Sequence, residues 1–162
     1  MDRIAEKVVA AALASLLLAP AAWAQSAPTH AAVHAAAASF AGGIAWRAET
    51  VIAADFSCTG KVQQAILGVL PDEILVAIFT HGLDQAPELV RFEASEHNLL
   101  ASKIRVDDYS MSAQEIAGVS GAAPVGYRPS RTCHGVRLSD DSSEAAHIYW
   151  DHDHRRFESW TQ

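Results

Sequence analysis

The stretch ILVAIFT, residues 74–80, is the strongest strand signal in this sequence. It is continuously apolar and rich in β-branched residues, which is typical of a strand that is buried on both faces. Pro71 and Asp72 supply a turn before the stretch, and His81 and Gly82 break it at the other end. The stretch therefore predicts a fully buried β-strand.

Shorter strand candidates lie on both sides of this stretch. Residues 146–150 and 156–160 flank a polar segment, and this pattern indicates a hairpin with a longer loop. Their aromatic side chains, Trp150, Phe157 and Trp160, are expected to anchor the core. The other strand candidates are residues 50–54, 65–70, 89–93, 103–106 and 136–138.

The segment between the strand candidates at 103–106 and 136–138 is expected to be mostly loop. Residues 110–131 contain several glycines and prolines, which interrupt regular structure. One helical turn is predicted at 112–117, where Ser112 would cap the helix and Glu115 lies three residues further on. A turn is predicted at 140–143.

The N-terminal 24 residues, MDRIAEKVVAAALASLLLAPAAWA, have the pattern of a secretory signal peptide. A charged start precedes an uncharged apolar run at 8–19, and Ala22, Trp23 and Ala24 form a small-x-small cleavage site. The apolar run is shorter than the roughly 20 residues that a transmembrane helix needs, although an uncleaved membrane anchor is the alternative. We therefore expect a periplasmic or secreted protein.

Cleavage after Ala24 would leave a chain of one-domain length. We divide it into an Ala-rich leader, residues 25–43, and a single β-rich domain, residues 44–162. The leader favours a helix that stops at Gly42 and Gly43, but it has no polar face and is equally compatible with a mobile segment.

The charge of the chain argues against two classes of partner. Removing the signal peptide takes away two acidic and two basic residues, so the net charge stays at −7. An acidic chain has no electrostatic reason to bind nucleic acid or anionic lipid. The mature sequence has no second long apolar run, so no membrane span is expected after cleavage.

Two cysteines, Cys58 and Cys133, are present. In an exported protein such a pair predicts a disulfide, which here would close a loop of about 76 residues and stabilise the fold by roughly 4–5 kcal/mol. A redox-active or metal-binding thiol pair is the alternative, but C-x-x-C spacing is absent. The predicted fold is mainly β, or α+β with minor helix, as a small antiparallel sheet or sandwich with one disulfide.

A polar loop, DFSCTGKVQ at residues 55–63, precedes the strand candidate AILGVL. Asp55, Ser57, Thr59, Gly60 and Gln63 occupy the first, third, fifth, sixth and ninth positions of the pattern D-x-[ND]-x-D-G-x-x-D. The loop therefore resembles the calcium loop of FG-GAP and VCBS-type repeats. This resemblance implies a strand, a tight loop and a second strand, as in part of a propeller blade.

The ligand set of this loop departs from that of a calcium site. Calcium loops use several anionic oxygen ligands, whereas here Asp55 supplies the one carboxylate and Lys61 adds a positive charge. We expect no useful calcium affinity, and we hypothesise that a disulfide from Cys58 to Cys133 holds the loop where an ion holds it in the repeats that it resembles. An ordinary glycine-containing turn is the alternative.

A histidine cluster near the C-terminus, HIYWDHDH at 147–154, suggests a metal site formed by His147, His152 and His154. Imidazole suits zinc, copper or nickel, but three or four such ligands must converge on one ion. The segment is expected to turn at 151–155, which would leave His152 and His154 in water at a hairpin tip.

No sequence motif for an enzyme is present. The chain lacks a G-x-S-x-G elbow, an H-E-x-x-H helix, a phosphate-binding glycine loop and a dinucleotide fingerprint. Three acidic pairs could flank a glycosidic bond but are expected to be solvated: Asp107 with Asp108, Asp140 with Asp141, and Asp151 with Asp153.

The sequence therefore favours an exported, non-catalytic binding or inhibitory module that needs no cofactor and recognises a protein partner. A periplasmic metal-handling protein that uses the C-terminal histidines is one alternative, and a small secreted hydrolase is the other.

Overall fold

The computed structural model describes residues 27–94, 96–140 and 144–162. The predicted signal peptide, and residues 141–143 of the predicted turn, lie outside this part of the chain. The described helices are α1 (His30–Phe40), α2 (Glu96–Ala101) and α3 (Ala113–Ser120). The described strands are β1 (Ala45–Ala54), β2 (Gln63–Val69), β3 (Glu73–Phe79), β4 (Glu88–Glu93), β5 (Lys103–Asp108), β6 (His134–Ser139), β7 (Ala145–Asp151) and β8 (Arg156–Thr161).

The strands form two antiparallel sheets of four strands each, so the predicted mainly β fold is confirmed. Neighbours in sequence are neighbours in each sheet: sheet 1 has the order β1-β2-β3-β4, and sheet 2 has the order β5-β6-β7-β8. The sheets share one apolar core, in which Leu67 and Val76 of sheet 1 pack with Val136 and Ile148 of sheet 2. The arrangement is a sandwich with one disulfide.

Strand β3 is buried on both faces, as its sequence predicts. Ile74, Val76 and Ile78 belong to the core between the sheets. The alternate residues, such as Leu75 and Phe79, point to the opposite side of sheet 1, because successive side chains of a strand face opposite ways.

Helix α1 provides the cover for that second face. Val33 and Ala37, four residues apart on one side of the helix, are fully buried against sheet 1 beside Trp46. Thr29 caps the helix by accepting a hydrogen bond from the amide of Ala32 at 3.2 Å. Of the two interpretations of the Ala-rich segment, the structure has the helix, and sheet 1 supplies the contacts that hold it.

Sheet 2 has no helix of similar length on its outer face among the described residues. Helix α3 and the segment that follows it, residues 121–131, cover part of this face. The predicted cap is confirmed as a capping box, in which the Ser112 amide donates to Glu115 at 2.7 Å and the Glu115 amide donates to Ser112 at 3.2 Å. The helix is longer than the predicted single turn: it ends at Ser120 and is capped by Gly121, which has a φ of 84°.

The predicted hairpin corresponds to β7 and β8. Phe157 is buried in the core between the sheets. Trp150 packs against the same core, with its ring centroid 5.0 Å from that of Phe157. Trp160 instead lies on the outer face of sheet 2, against His147, because it is an odd number of residues from Phe157. Within the described residues, no helix is long and apolar enough to cross a membrane.

Candidate functional site

The disulfide between Cys58 and Cys133 is confirmed, with a distance of 5.0 Å between the two Cα atoms. It joins the loop before β2 in sheet 1 to the residue before β6 in sheet 2. Beside it, the amide of His134 donates a hydrogen bond to the carbonyl of Asp55 at 2.9 Å. The two sheets are therefore linked at one end both covalently and through the backbone.

The Asp55 carboxylate is engaged by its own loop. One oxygen accepts a hydrogen bond from the amide of Thr59 at 2.9 Å, and the other accepts one from the amide of Gly60 at 2.6 Å. Gly60 has a φ of 75°, a left-handed conformation that glycine adopts without steric cost. These bonds close a tight turn between Asp55 and Gly60.

Gln63 holds the same loop from the other side, and its side chain is buried. Its carbonyl oxygen accepts from the amides of Phe56 at 2.9 Å and Ser57 at 2.8 Å. Its amide group donates to the Ser57 hydroxyl at 2.6 Å and to the Thr80 carbonyl at 3.2 Å. The oxygens of Asp55, Ser57 and Gln63 therefore stabilise the loop itself.

Titration of the oxidised protein with calcium chloride should show no binding with a dissociation constant in the micromolar range. The one carboxylate of the loop already accepts two amide hydrogen bonds, which a calcium ion would have to replace. Isothermal titration calorimetry measures this directly, and the Asp55→Asn variant is the control. Micromolar binding by the wild type that disappears in Asp55→Asn would contradict the prediction.

The three C-terminal histidines are not brought together. His147 lies within β7, on the outer face of sheet 2, whereas His152 and His154 lie in the turn after β7. β7 ends at Asp151, four residues after His147, so the turn that contains His152 and His154 begins roughly 13 Å along the strand from His147. In the described part of the chain, no three His, Cys, Asp or Glu side chains are grouped to hold a metal ion.

The turn between β7 and β8 is organised by a buried carboxylate instead. Asp151 is 1% exposed and accepts hydrogen bonds from the amides of Asp153 at 2.8 Å and His154 at 3.1 Å. The His154 Nδ1 lies 2.6 Å from its second oxygen. Burial alone would raise the pKa of Asp151, but these hydrogen bonds outweigh it and hold the pKa below its ordinary value.

A cleft of about 390 Å³ lies on the outer face of sheet 2, beside α3 and Tyr127. The strand pairing places Arg105, Arg137, His147 and Trp160 in one row across the four strands of the sheet. Both arginines are exposed, and Trp160 is half-buried. The cleft is also lined by Val106, Asp107, Asp108, Tyr109, Ser110, Met111, Ile116, Ile148, Tyr149 and Gln162.

His147 is fixed from two sides within this cleft. Its Nδ1 lies 2.7 Å from a carboxylate oxygen of Asp107. Its ring stacks on Trp160, with 4.0 Å between centroids and an angle of 4° between the planes. Its Nε2 is buried and has no hydrogen-bond partner among the described residues.

The carboxylates of Asp107 and Asp108 do not act as a pair. The Asp107 side chain is 19% exposed and contacts His147, whereas the Asp108 side chain is 83% exposed and lies 3.4 Å from His134. Adjacent residues of a strand point to opposite faces, which separates the two groups. The expectation that both are solvated is therefore wrong for Asp107.

Three tyrosines form the wall of the cleft near α3. Tyr127 packs edge-on against Tyr109 at 5.2 Å and against Tyr149 at 5.7 Å. The Tyr127 hydroxyl donates to the carbonyl of Met111, and the Tyr149 hydroxyl donates to the carbonyl of Val125. Burial raises the pKa of Tyr127 and of Tyr149 to about 12, so both phenols are neutral at ordinary pH.

The two arginines of this cleft belong to no recognisable sequence motif. The available signal was the alternation of residues 103–108, KIRVDD, which places Arg105 and Asp107 on the face opposite Ile104. The alternation assigns the face, but only the pairing of β5 with β6 brings Arg137 directly opposite Arg105.

Comparisons with known protein families, with curated protein sequences and with solved structures found no match to this chain.

Proposed function

We propose that this protein is an exported, non-catalytic binding module that receives a protein partner in the cleft on sheet 2. The observation that carries the proposal is the pair Arg105 and Arg137. Both are exposed beside an aromatic wall, and neither has an ion-pair partner among the residues that the structure describes. Sheet 1, in contrast, has its outer face covered by α1.

The chemistry of the cleft favours binding over catalysis. A general base acts through an atom that reaches the proton it abstracts, but the Nε2 of His147 is buried and has no hydrogen-bond partner among the described residues. The raised pKa values of Tyr127 and Tyr149 also make them poor bases and poor nucleophiles. No observation in the described part of the chain specifically favours the hydrolase or the metal-handling protein.

Export is supported by the disulfide, because disulfides persist in the periplasm and outside the cell and are rare in the cytosol. This agrees with the signal-peptide pattern of residues 1–24. An oxidising compartment would keep the two sheets linked while the cleft is exposed to partners.

Site-specific photocrosslinking in the native compartment tests the proposal. A photoreactive amino acid at Ser110, which is exposed and lines the cleft, should give a crosslinked product of discrete mass. The matched control is the same amino acid at Ala35, which is exposed on α1 on the opposite side of the sandwich. We expect no discrete product from Ala35.

Equal products from both positions would indicate non-specific collisions and would contradict the proposal. The absence of any product from Ser110 would contradict it as well. Mass spectrometry of the product identifies the partner and the segment that contacts the cleft.

A further inference from the structure

Arg105 and Arg137 occupy directly opposed positions on β5 and β6. The Cβ atoms of such a pair are about 5 Å apart, and like charges in this arrangement destabilise a sheet. Some other exposed arginines have a carboxylate partner, such as Arg91, which lies 2.7 Å from Glu73, and Arg156, which lies 2.6 Å from Glu158. Arg131 and Arg155 are exposed without a carboxylate partner among the described residues, but neither stands opposite a second arginine in the strand pairing. The two arginines of the cleft thus form a repulsive pair that an anion would neutralise.

The surroundings of the pair restrict the kind of anion. Asp107 and Asp108 line the same cleft, and their carboxylates would repel a dianion more strongly than a monoanion. The planar guanidinium group matches a carboxylate geometrically and can bind it through two hydrogen bonds. A single carboxylate is therefore the anion that best fits the charges of the cleft.

The size and the wall of the cleft add a second requirement. A volume of about 390 Å³ accommodates a side chain and an apolar neighbour, but it is at the small end for ligand sites. Trp160 and Tyr127 supply aromatic surface next to the arginines. An acidic residue with an apolar or aromatic neighbour would satisfy both the charges and the wall.

We infer that the cleft recognises an acidic segment of the protein partner, with one carboxylate held between Arg105 and Arg137 and an adjacent apolar side chain against Trp160. This inference rests on the proposed function and specifies the chemistry of its ligand. Arg105 and Arg137 give the row two positive charges, although Asp107 and Asp108 also line the cleft and the whole chain has a net charge of −7. The acidic remainder of the surface would repel acidic segments elsewhere and confine their binding to the cleft.

Nuclear magnetic resonance of the oxidised, ¹⁵N-labelled mature protein tests the inference with defined probes. The first probe is a capped peptide of alternating glutamate and phenylalanine, and its control is the same peptide with glutamine in place of glutamate. We expect the glutamate peptide to shift the Nε–Hε signals of Arg105 and Arg137, and the glutamine peptide to leave them unchanged. Inorganic phosphate is the second probe, and it should shift them less than the glutamate peptide does.

Three variants of equal charge locate the binding. Arg105→Gln and Arg137→Gln should each weaken binding of the glutamate peptide at least tenfold, because each removes one half of the carboxylate clamp. Arg156 lies on the same sheet, but it is paired with Glu158 and does not line the cleft. The variant Arg156→Gln should therefore leave the affinity unchanged. Unchanged amide spectra away from the cleft establish that each variant is folded.

Equal binding of the two peptides, equal weakening by all three variants, or a response to phosphate alone would each overturn the inference. These results are separable from a failure of the proposed function. Crosslinking from Ser110 without any response to the glutamate peptide overturns the carboxylate assignment and leaves the binding module standing. A response to the peptide without crosslinking from Ser110 would support the carboxylate preference of the cleft and would contradict the binding of a protein partner in the native compartment.

Discussion

Replacing both Cys58 and Cys133 with serine should lower the free energy of unfolding by about 4 kcal/mol. The bond joins residues 75 positions apart, so its loss frees a long loop in the unfolded chain. A domain of this size has a total stability of about 5–15 kcal/mol. The variant should therefore unfold at a much lower urea concentration.

The serine pair is a well-matched replacement at the backbone level. Cys58 has a φ of 58°, a left-handed conformation, and serine there meets the same steric cost as cysteine. The substitution therefore tests the bond and leaves the conformational preference of the loop almost unchanged.

Urea denaturation, followed by tryptophan fluorescence, measures the effect. The wild-type protein in reducing buffer is the control, and its midpoint should fall to that of the double-serine variant. A loss below about 1 kcal/mol would show that the entropy of the 75-residue loop is not what the bond restricts. A variant that fails to fold at 25 °C would agree with the prediction only if added sucrose, which favours the compact state, restores its native spectrum.

The central layer of the fold could be predicted from sequence because β3 carries a local signal. Continuous apolar character over residues 74–80 requires burial of both faces, whatever the partner strands are. The capping box at Ser112 and the hairpin formed by β7 and β8 are local in the same sense. Each depends on residues a few positions apart in the chain.

The cleft depends on pairings between distant segments, and these were not predictable from one sequence. Arg105 and Arg137 are neighbours only because β5 pairs with β6 in one register, and a shift by one residue would put Arg137 on the other face. The contact between Asp107 and His147 spans 40 positions. Local sequence patterns contain no information on such distances.

In the histidine cluster, proximity in sequence does not give proximity in space. His147 and His152 are close along the chain, but an extended strand carries them apart. His147 is instead held by Asp107 and Trp160, from two other strands.

Helix α1 illustrates a case in which the sequence left two outcomes open and tertiary packing decided between them. Alanine favours helix, but an isolated helix of this length is marginal in water. Burial of Val33 and Ala37 against sheet 1 supplies the missing stabilisation. The sequence of β3 alone indicates that the outer face of sheet 1 must be buried, because the strand is apolar on both faces.

Replacing Gln63 with leucine should destabilise the protein by roughly 3–5 kcal/mol, although leucine is of similar size and more apolar. The Gln63 side chain makes four hydrogen bonds, and its oxygen is the acceptor for the amides of Phe56 and Ser57. Phe56 is fully buried and Ser57 is 6% exposed, so water cannot replace this acceptor. Each buried amide that is left unpaired costs about 1–3 kcal/mol.

The neighbouring residue provides a matched control for this variant. Gln64 is also buried, at 7% exposure, but its side chain makes no hydrogen bond within the part of the chain that the structure describes. Gln64→Leu should therefore change the free energy of unfolding by less than about 1 kcal/mol, since it removes a buried polar group without leaving a partner unpaired. Urea denaturation of both variants, with the disulfide intact, separates loss of the Gln63 hydrogen bonds from any general effect of leucine on β2. Equal losses in the two variants would show a general effect of leucine on β2 and would contradict a specific contribution from the Gln63 hydrogen bonds.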